Sequence, residues 1–242
     1  MIDLHSHILP GLDDGAQSLQ DSLAMACMAV DSGVSAMVAT PHCADNRCQD
    51  VYFAWKTLRE ALSENQIPLH LFMGMEIFGT PNTVHMLQDG TLLTLNASVY
   101  PLLEFSFYSD GEEETQILQD ICSAGFRPIV AHPERYAYVQ ENPKIVNDWI
   151  HMGCLLQINR GSLMGRFGRS AQAVAMSLIR RGFASVVASD AHSVHMRTPW
   201  MKDIRQLLAQ ETSREYARFL LHENPKKIIK NQEIQPVQPD WF

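Results

Sequence analysis

Short apolar runs rich in Val, Ile, Leu and Met recur along the chain, and most end in a histidine or a carboxylate. They are Ile2-Asp3-Leu4-His5-Ser6-His7, Met37-Val38-Ala39-Thr40-Pro41-His42, Leu71-Phe72-Met73-Gly74-Met75-Glu76, Leu102-Leu103-Glu104, Ile129-Val130-Ala131-His132 and Val186-Val187-Ala188-Ser189-Asp190-Ala191-His192. Runs of this length read as strands buried on both faces, so the polar residue at each end sits where the strand leaves the core. Cys154-Leu155-Leu156-Gln157-Ile158-Asn159 adds a seventh strand.

Helical periodicity fills the intervals. Ser18 with Asp21 has the form of a capping box, Leu19, Leu23, Ala26, Cys27 and Val30 share one face, and Gly33 is placed to end the helix. Further helices are expected at about 49–65, 112–124, 143–152, 170–181, 199–210 and 213–222. This is βα alternation. An open parallel sheet gathers its site at one switch point, whereas here nearly every strand ends in a polar residue, which favours a distorted (β/α)7 TIM-like barrel. The chain, 1–242, is expected to form a single domain, with 231–242 a polar tail that Trp241 and Phe242 either pin to the surface or leave frayed.

Composition narrows the function classes. A 46% hydrophobic content supports a sizeable core, and a net charge of −8 argues against a protein that tracks a nucleic-acid backbone. No segment approaches the length of a membrane-spanning helix. The first residues lack the features of a signal peptide, and the five cysteines are odd in number with no C-x-x-C pair, so a cytoplasmic location without membrane insertion is expected. Oligomeric state is not legible.

His5 and His7 alternate on a strand and so project together, although an H-x-H pair alone is a weak metal signal. Every other candidate has an ordinary structural reading. Asp13-Asp14-Gly15 suits an Asx turn, His42 a loop, Glu76 and Glu104 ion pairs, His132 a core position, and Asp190 a helix cap. Their shared position at strand ends is the argument for one site. Cysteine-based phosphate chemistry needs Cys followed after five residues by Arg on a glycine-rich loop; from Cys43 that position is Gln49, and the glycines are missing.

These motifs, taken in order, resemble the PHP (polymerase and histidinol phosphatase) family, and within it the bacterial tyrosine phosphatases of capsule and exopolysaccharide clusters. The resemblance is carried by Ile2-Asp3-Leu4-His5-Ser6-His7, Asp13-Asp14-Gly15, Thr40-Pro41-His42, Glu76-Ile77, Leu103-Glu104-Phe105, Ala131-His132-Pro133-Glu134-Arg135-Tyr136, Ser189-Asp190-Ala191-His192 and Asn224-Pro225-Lys226-Lys227-Ile228. It implies three divalent ions, typically manganese with iron, magnesium or zinc as alternatives. Their implied ligands are His5, His7, Asp14, His42, Glu76, Glu104, His132, Asp190 and His192. The preference for Asp14 over Asp13 is the family's.

Arg135 and Arg197 would then hold phosphate, with His42 and His192 among the catalytic groups. Four carboxylates against three divalent ions leave a site near +2 with neutral imidazoles, a seat for a phosphomonoester dianion, and metal-activated hydroxide would attack phosphorus. The implied substrate is the phosphotyrosine tail of a bacterial tyrosine autokinase that regulates polysaccharide synthesis. Two rivals stand beside it: a small-molecule phosphatase acting on histidinol phosphate or a nucleotide, and a metal-stabilised barrel that regulates a partner without catalysis.

Two positions depart from the pattern. Cys43 stands where relatives often carry a second histidine, and Arg160 replaces a small residue, where it could contact phosphate or narrow access. His70, His85, His151, His195 and His222 read as surface residues, with His195 nearest the rim. The twelve methionines read as core filler.

Overall fold

The computed structural model describes residues 1–43, 48–234 and 239–242. Its strands are all parallel and fall into two sheets. The first comprises β1 (Ile2–Asp3), β2 (Ala36–Ala39) and β3 (His70–Met73). The second runs β4 (Glu76–Phe78), β5 (Leu102–Glu104), β6 (Ile129–Ala131), β7 (Leu155–Asn159) and β8 (Val186–Ala188).

The third expected strand is thus two short ones, broken at Gly74-Met75. A Cβ on Gly74 would come within 2.9 Å of the Leu95 side chain, so the chain can turn there only without one. Expected strand lengths also shrink. The candidate ligands lie just beyond the ladders, except Glu76, which opens β4, and Glu104, which closes β5.

The two sheets meet at two seams. At one, Ser6 bridges Ala191, supported by His7 N–H donating to the Ala191 carbonyl at 2.8 Å and Asp190 N–H to the His5 carbonyl at 3.0 Å. At the other, His42 bridges Glu76, with Glu76 N–H reaching the Pro41 carbonyl at 3.1 Å and Cys43 N–H the Glu76 carbonyl at 3.0 Å. Neither seam carries a continuous ladder, so the barrel is irregular. Buried Asp3 braces the first seam by accepting from Ser189 N–H at 3.0 Å.

Helices cover the outside. α1 (Leu19–Asp31) starts as the capping box predicts, with Ser18 Oγ accepting from Asp21 N–H at 3.2 Å. α2 (Cys48–Glu64) follows β2, α3 (Thr83–Gln88) follows β4, and α4 (Glu112–Ser123) follows β5. α5 (Ala137–Glu141) and α6 (Ile145–His151) follow β6, while α7 (Arg160–Leu163) and α8 (Arg169–Arg180) follow β7. After β8 come α9 (Lys202–Glu211), α10 (Arg214–Arg218) continuing into a π-helical turn Phe219–Glu223, and α11 (Asn224–Ile229). The short α3, α5, α7 and α11 escape periodicity because one to two turns hold too few residues to show it. Among the described residues no helix is long and apolar enough to cross a membrane.

Strand parity separates two cores. Met37, Leu103, Val130, Leu156, Ile158 and Val187 pack with the helices, whereas Val38, Leu102, Ile129, Ala131 and Val186 form a separate cluster with Leu95, Tyr100 and Ile228. Of the tail, Trp241 stacks on His151 at 4.3 Å and Phe242 on Phe183 at 5.1 Å, so its described end is held; residues 235–238, including Pro236, lie outside the described residues.

Candidate metal centre

His5 and His7 flank the bridging Ser6, are wholly buried, and bring their Nε2 atoms within 3.3 Å of each other. Glu76 stands between them and two further histidines. One of its carboxylate oxygens lies 3.2 Å from His5 Nε2 and 3.1 Å from His132 Nε2; the other lies 3.2 Å from His7 Nε2 and 3.1 Å from His42 Nδ1. Asp190 Oδ1 is 3.5 Å from both His5 and His7 and 3.6 Å from His192 Nδ1. Glu104 approaches His132 at 3.5 Å and His42 at 3.8 Å, and Asp14 approaches His192 at 3.3 Å and His42 at 3.6 Å.

All nine ligand-type side chains named from the sequence therefore converge. They form overlapping groups with metal-binding spacing: His7, Asp14, His42 and His192; His5, His7 and Asp190; His5, Glu76 and His132; His42, Glu76 and Glu104. Their mixed imidazole and carboxylate donors suit borderline divalent ions.

The chain's own hydrogen bonds aim these donors. The Asp190 carboxylate can only accept, so Asn159 turns its amide N–H toward Oδ2, at 2.6 Å. Asn159 Oδ1 is then the acceptor for Gln157 Nε2, at 2.7 Å, which leaves Gln157 Oε1 facing His5 Nδ1 at 2.8 Å. His5 consequently carries a proton on Nδ1 and presents Nε2 to the centre. Asp13 does the same for His7, with Oδ2 2.7 Å from Nδ1. His192 Nε2 is buried and makes no hydrogen bond among the described residues; its neighbour is the Asp14 carboxylate at 3.3 Å, a member of the same group of ligand-type atoms. The residues present fit divalent ions.

The paired aspartates are separated by these contacts. Asp13 is turned inward, accepts from the N–H groups of Gly15 at 2.9 Å and His42 at 3.0 Å, and forms the Asx turn. Asp14 is 63% exposed and faces His192 and His42, which makes it the available ligand of the two.

Charge follows the same division. Burial pushes the Asp13 carboxyl up, but His7 and the two N–H donors outweigh it and bring it down to about 2. Burial likewise opposes ionisation of Glu76 and Asp190, yet the surrounding His5, His7 and His132, with Arg197 on Asp190, hold both well below the usual carboxylate range. Burial would lower His5 and His7, but Glu76 and Asp190 raise both, with Asp13 adding to His7. Burial takes His132 and His192 down to about 4, so their rings stay neutral above that pH. Glu104 is pushed up to about 7 by burial and by the charge of Glu76.

A pH dependence of metal uptake follows. Ions held by these side chains would compete with protons for Glu104, raised to about 7, and for His5 and His7, both raised. Uptake of Mn by chelator-stripped protein, followed by calorimetry, is expected to be weaker at pH 6 than at pH 8 and to release protons. Equal affinity at both pH values would contradict this.

Arg135 and Arg197 reach the same edge. Arg197 Nη2 lies 2.6 Å from both Asp190 oxygens and Arg135 Nη1 3.4 Å from Oδ2, while Arg197 Nε is a buried donor without an acceptor among the described residues. Arg135 is sandwiched, its guanidinium 4.6 Å from the Phe107 ring centre and 4.3 Å from that of Phe167. His132, Asp190 and Arg197 have φ of 36°, 53° and 51°, a conformation that costs on the order of 1–3 kcal/mol each and collects at functional sites.

Sequence reasoning missed Asp13 as an orienting group, Gln157, Asn159, Phe107 and Phe167. Gln157-x-Asn159 in a buried strand was a readable signal: polar residues at alternate positions on an apolar strand must face polar partners. Arg160, open in the sequence between a phosphate contact and a narrowing of access, is 4% exposed. Its guanidinium makes a two-point ion pair with Asp203, at 2.9 and 2.6 Å, and ties α7 to α9. The Cys43 thiol is pushed up by burial, the wrong direction for a nucleophile, and Ala44–Arg47 lie outside the described residues.

An irregular ring of parallel strands with such a centre at one end defines a PHP-type α/β barrel. The chain belongs to the CpsB/CapC family of capsular polysaccharide synthesis, whose model matches residues 1–230. It is 36% identical to the tyrosine-protein phosphatase YwqE of Bacillus subtilis over 99% of this chain and 96% of that one. Identity to the tyrosine-protein phosphatase CpsB of Streptococcus pneumoniae is 32%, over 97% of this chain and all of that protein. A crystal structure from work on YwqE and CpsB, described as metal-dependent tyrosine phosphatases, superposes with a TM-score of 0.93 at 36% identity over 99% of both chains.

Proposed function

We propose that this chain is a metal-dependent protein-tyrosine phosphatase of capsular or extracellular polysaccharide synthesis. The observation that carries the reading is the convergence of nine ligand-type side chains beside two arginines, in a chain whose full-length relatives are tyrosine phosphatases. On this reading the centre holds three divalent ions, manganese first, and the substrate is a phosphotyrosine segment of a tyrosine kinase in the cytoplasm.

Divalent ions held by these residues would supply positive charge that lowers the pKa of water and stabilises the negative charge on the phosphoryl oxygens. The chain's residues do the rest. Asp13 and the relay from Asp190 through Asn159 and Gln157 keep His7 and His5 in the ligating tautomer. Arg135 and Arg197 bind the outer phosphoryl oxygens, the first held flat between two phenyl rings and the second offering its unpaired Nε–H. His42 is 35% exposed and lies at the open edge, where the leaving phenolate takes up its proton from water. That transfer needs little help, since phenolate has a pKa of about 10.

The test ranks substrates. Mn-loaded protein is expected to release phosphate from a phosphotyrosine peptide at least about tenfold faster, in kcat/KM, than from histidinol phosphate. The reverse ranking would favour a small-molecule phosphatase, and no turnover of either would favour the non-catalytic barrel.

A further inference from the structure

Away from the metal centre, α9 and α10 with its π-helical continuation enclose an open groove of about 860 Å³. Its floor is apolar, with Ala217 and Leu221 each 1% exposed. Its walls carry Lys202, Arg205, Arg214 and Arg218, and no acidic residue lines it, in a chain whose net charge is −8. Arg218 is already paired with Glu223 at 2.7 Å, but among the described residues Lys202, Arg205 and Arg214 have no carboxylate partner. Elsewhere the same helices do neutralise their charges: Asp203 pairs with Arg160 and Glu211 with Arg180. The unpaired positive charge of these two helices therefore lines the groove.

Its position relative to the centre is limited by the chain. Lys202, at the near end of the groove, is five residues beyond Arg197 and so lies within about 18 Å of it, while Met1, which precedes β1, lines the far side. An extended peptide covers that distance in about five residues. We propose that the groove docks an acidic stretch of the protein substrate, about five to ten residues from the phosphotyrosine at the centre; this rests on the phosphatase reading above. A concave cationic channel with an apolar floor suits an extended acidic chain. A bilayer needs a flat or convex basic face, and single-stranded nucleic acid needs aromatic stacking groups, which the lining lacks.

The experiment compares wild type with the double variant Arg205→Glu/Arg214→Glu, both Mn-loaded. Substrates are a phosphotyrosine peptide with an acidic stretch, the same peptide with that stretch made neutral, and p-nitrophenyl phosphate. The variant should raise KM about fivefold to tenfold for the acidic peptide alone, with kcat unchanged, and the difference should shrink in 0.5 M salt. A separate anisotropy measurement follows a fluorescent, unphosphorylated acidic peptide, so docking is decided even if wild type hydrolyses no phosphotyrosine. Weaker binding to the variant supports the proposal; equal binding, or retention on phosphatidylserine vesicles in place of peptide binding, overturns it. Should the double variant fail to fold, Arg205→Gln/Arg214→Gln serves the same comparison.

Discussion

Glu76→Gln is expected to reduce hydrolysis of a phosphotyrosine peptide by about 10³-fold or more and to lower the bound metal by at least one ion per chain. The carboxylate touches His5, His7, His42 and His132 and belongs to two of the four candidate ligand groups, so a change that preserves its shape removes charge from both. Residues outside the ligand shell are already worth roughly 10–100-fold in metal affinity or activity, and the effects of two disturbed ions compound. Glutamine fits the same space, which keeps the fold as the control, read by circular dichroism. Activity within tenfold of wild type would show that Glu76 is not a metal ligand.

The second large effect concerns stability. Prolonged chelation should abolish turnover and lower the melting temperature, because ions bind the folded centre and not the dispersed ligands of the unfolded chain. At a thousandfold excess over Kd, one ion stabilises by about 4 kcal/mol. For a chain of this size each kcal/mol moves Tm by roughly 2–4 °C, so each tightly held ion should be worth about 8–16 °C. The stripped centre avoids the full repulsion of its carboxylates by taking up protons, as Glu104 does at about 7. Differential scanning calorimetry before and after chelation, with Mn restored, checks this. An unchanged Tm would mean that the cluster does not hold ions tightly.

The strand ends were legible because a buried parallel strand must end where a polar residue can escape, but His132 and Asp190 each had an ordinary reading, as a core histidine and a helix cap, and the choice of ligand set came from the family resemblance. The irregularities were not legible. The break at Gly74 depends on Leu95 pressing from outside the strand, and the seams depend on hydrogen bonds between residues as distant as His7 and Ala191. Asp13 and Asp14 are identical in type and adjacent, so only the direction of each side chain separates the one that orients His7 from the one that faces His192. Arg160 shows the converse: its role was open in the sequence because its partner, Asp203, which takes its Nε and Nη2, lies forty-three residues away.

The most direct measurement is the metal content of protein purified without chelator, taken beside its rate on a phosphotyrosine peptide. The account predicts about three divalent ions per chain, with activity rising in proportion to occupancy. Phosphotyrosine hydrolysis by protein holding no ion, or full loading without hydrolysis, would contradict it.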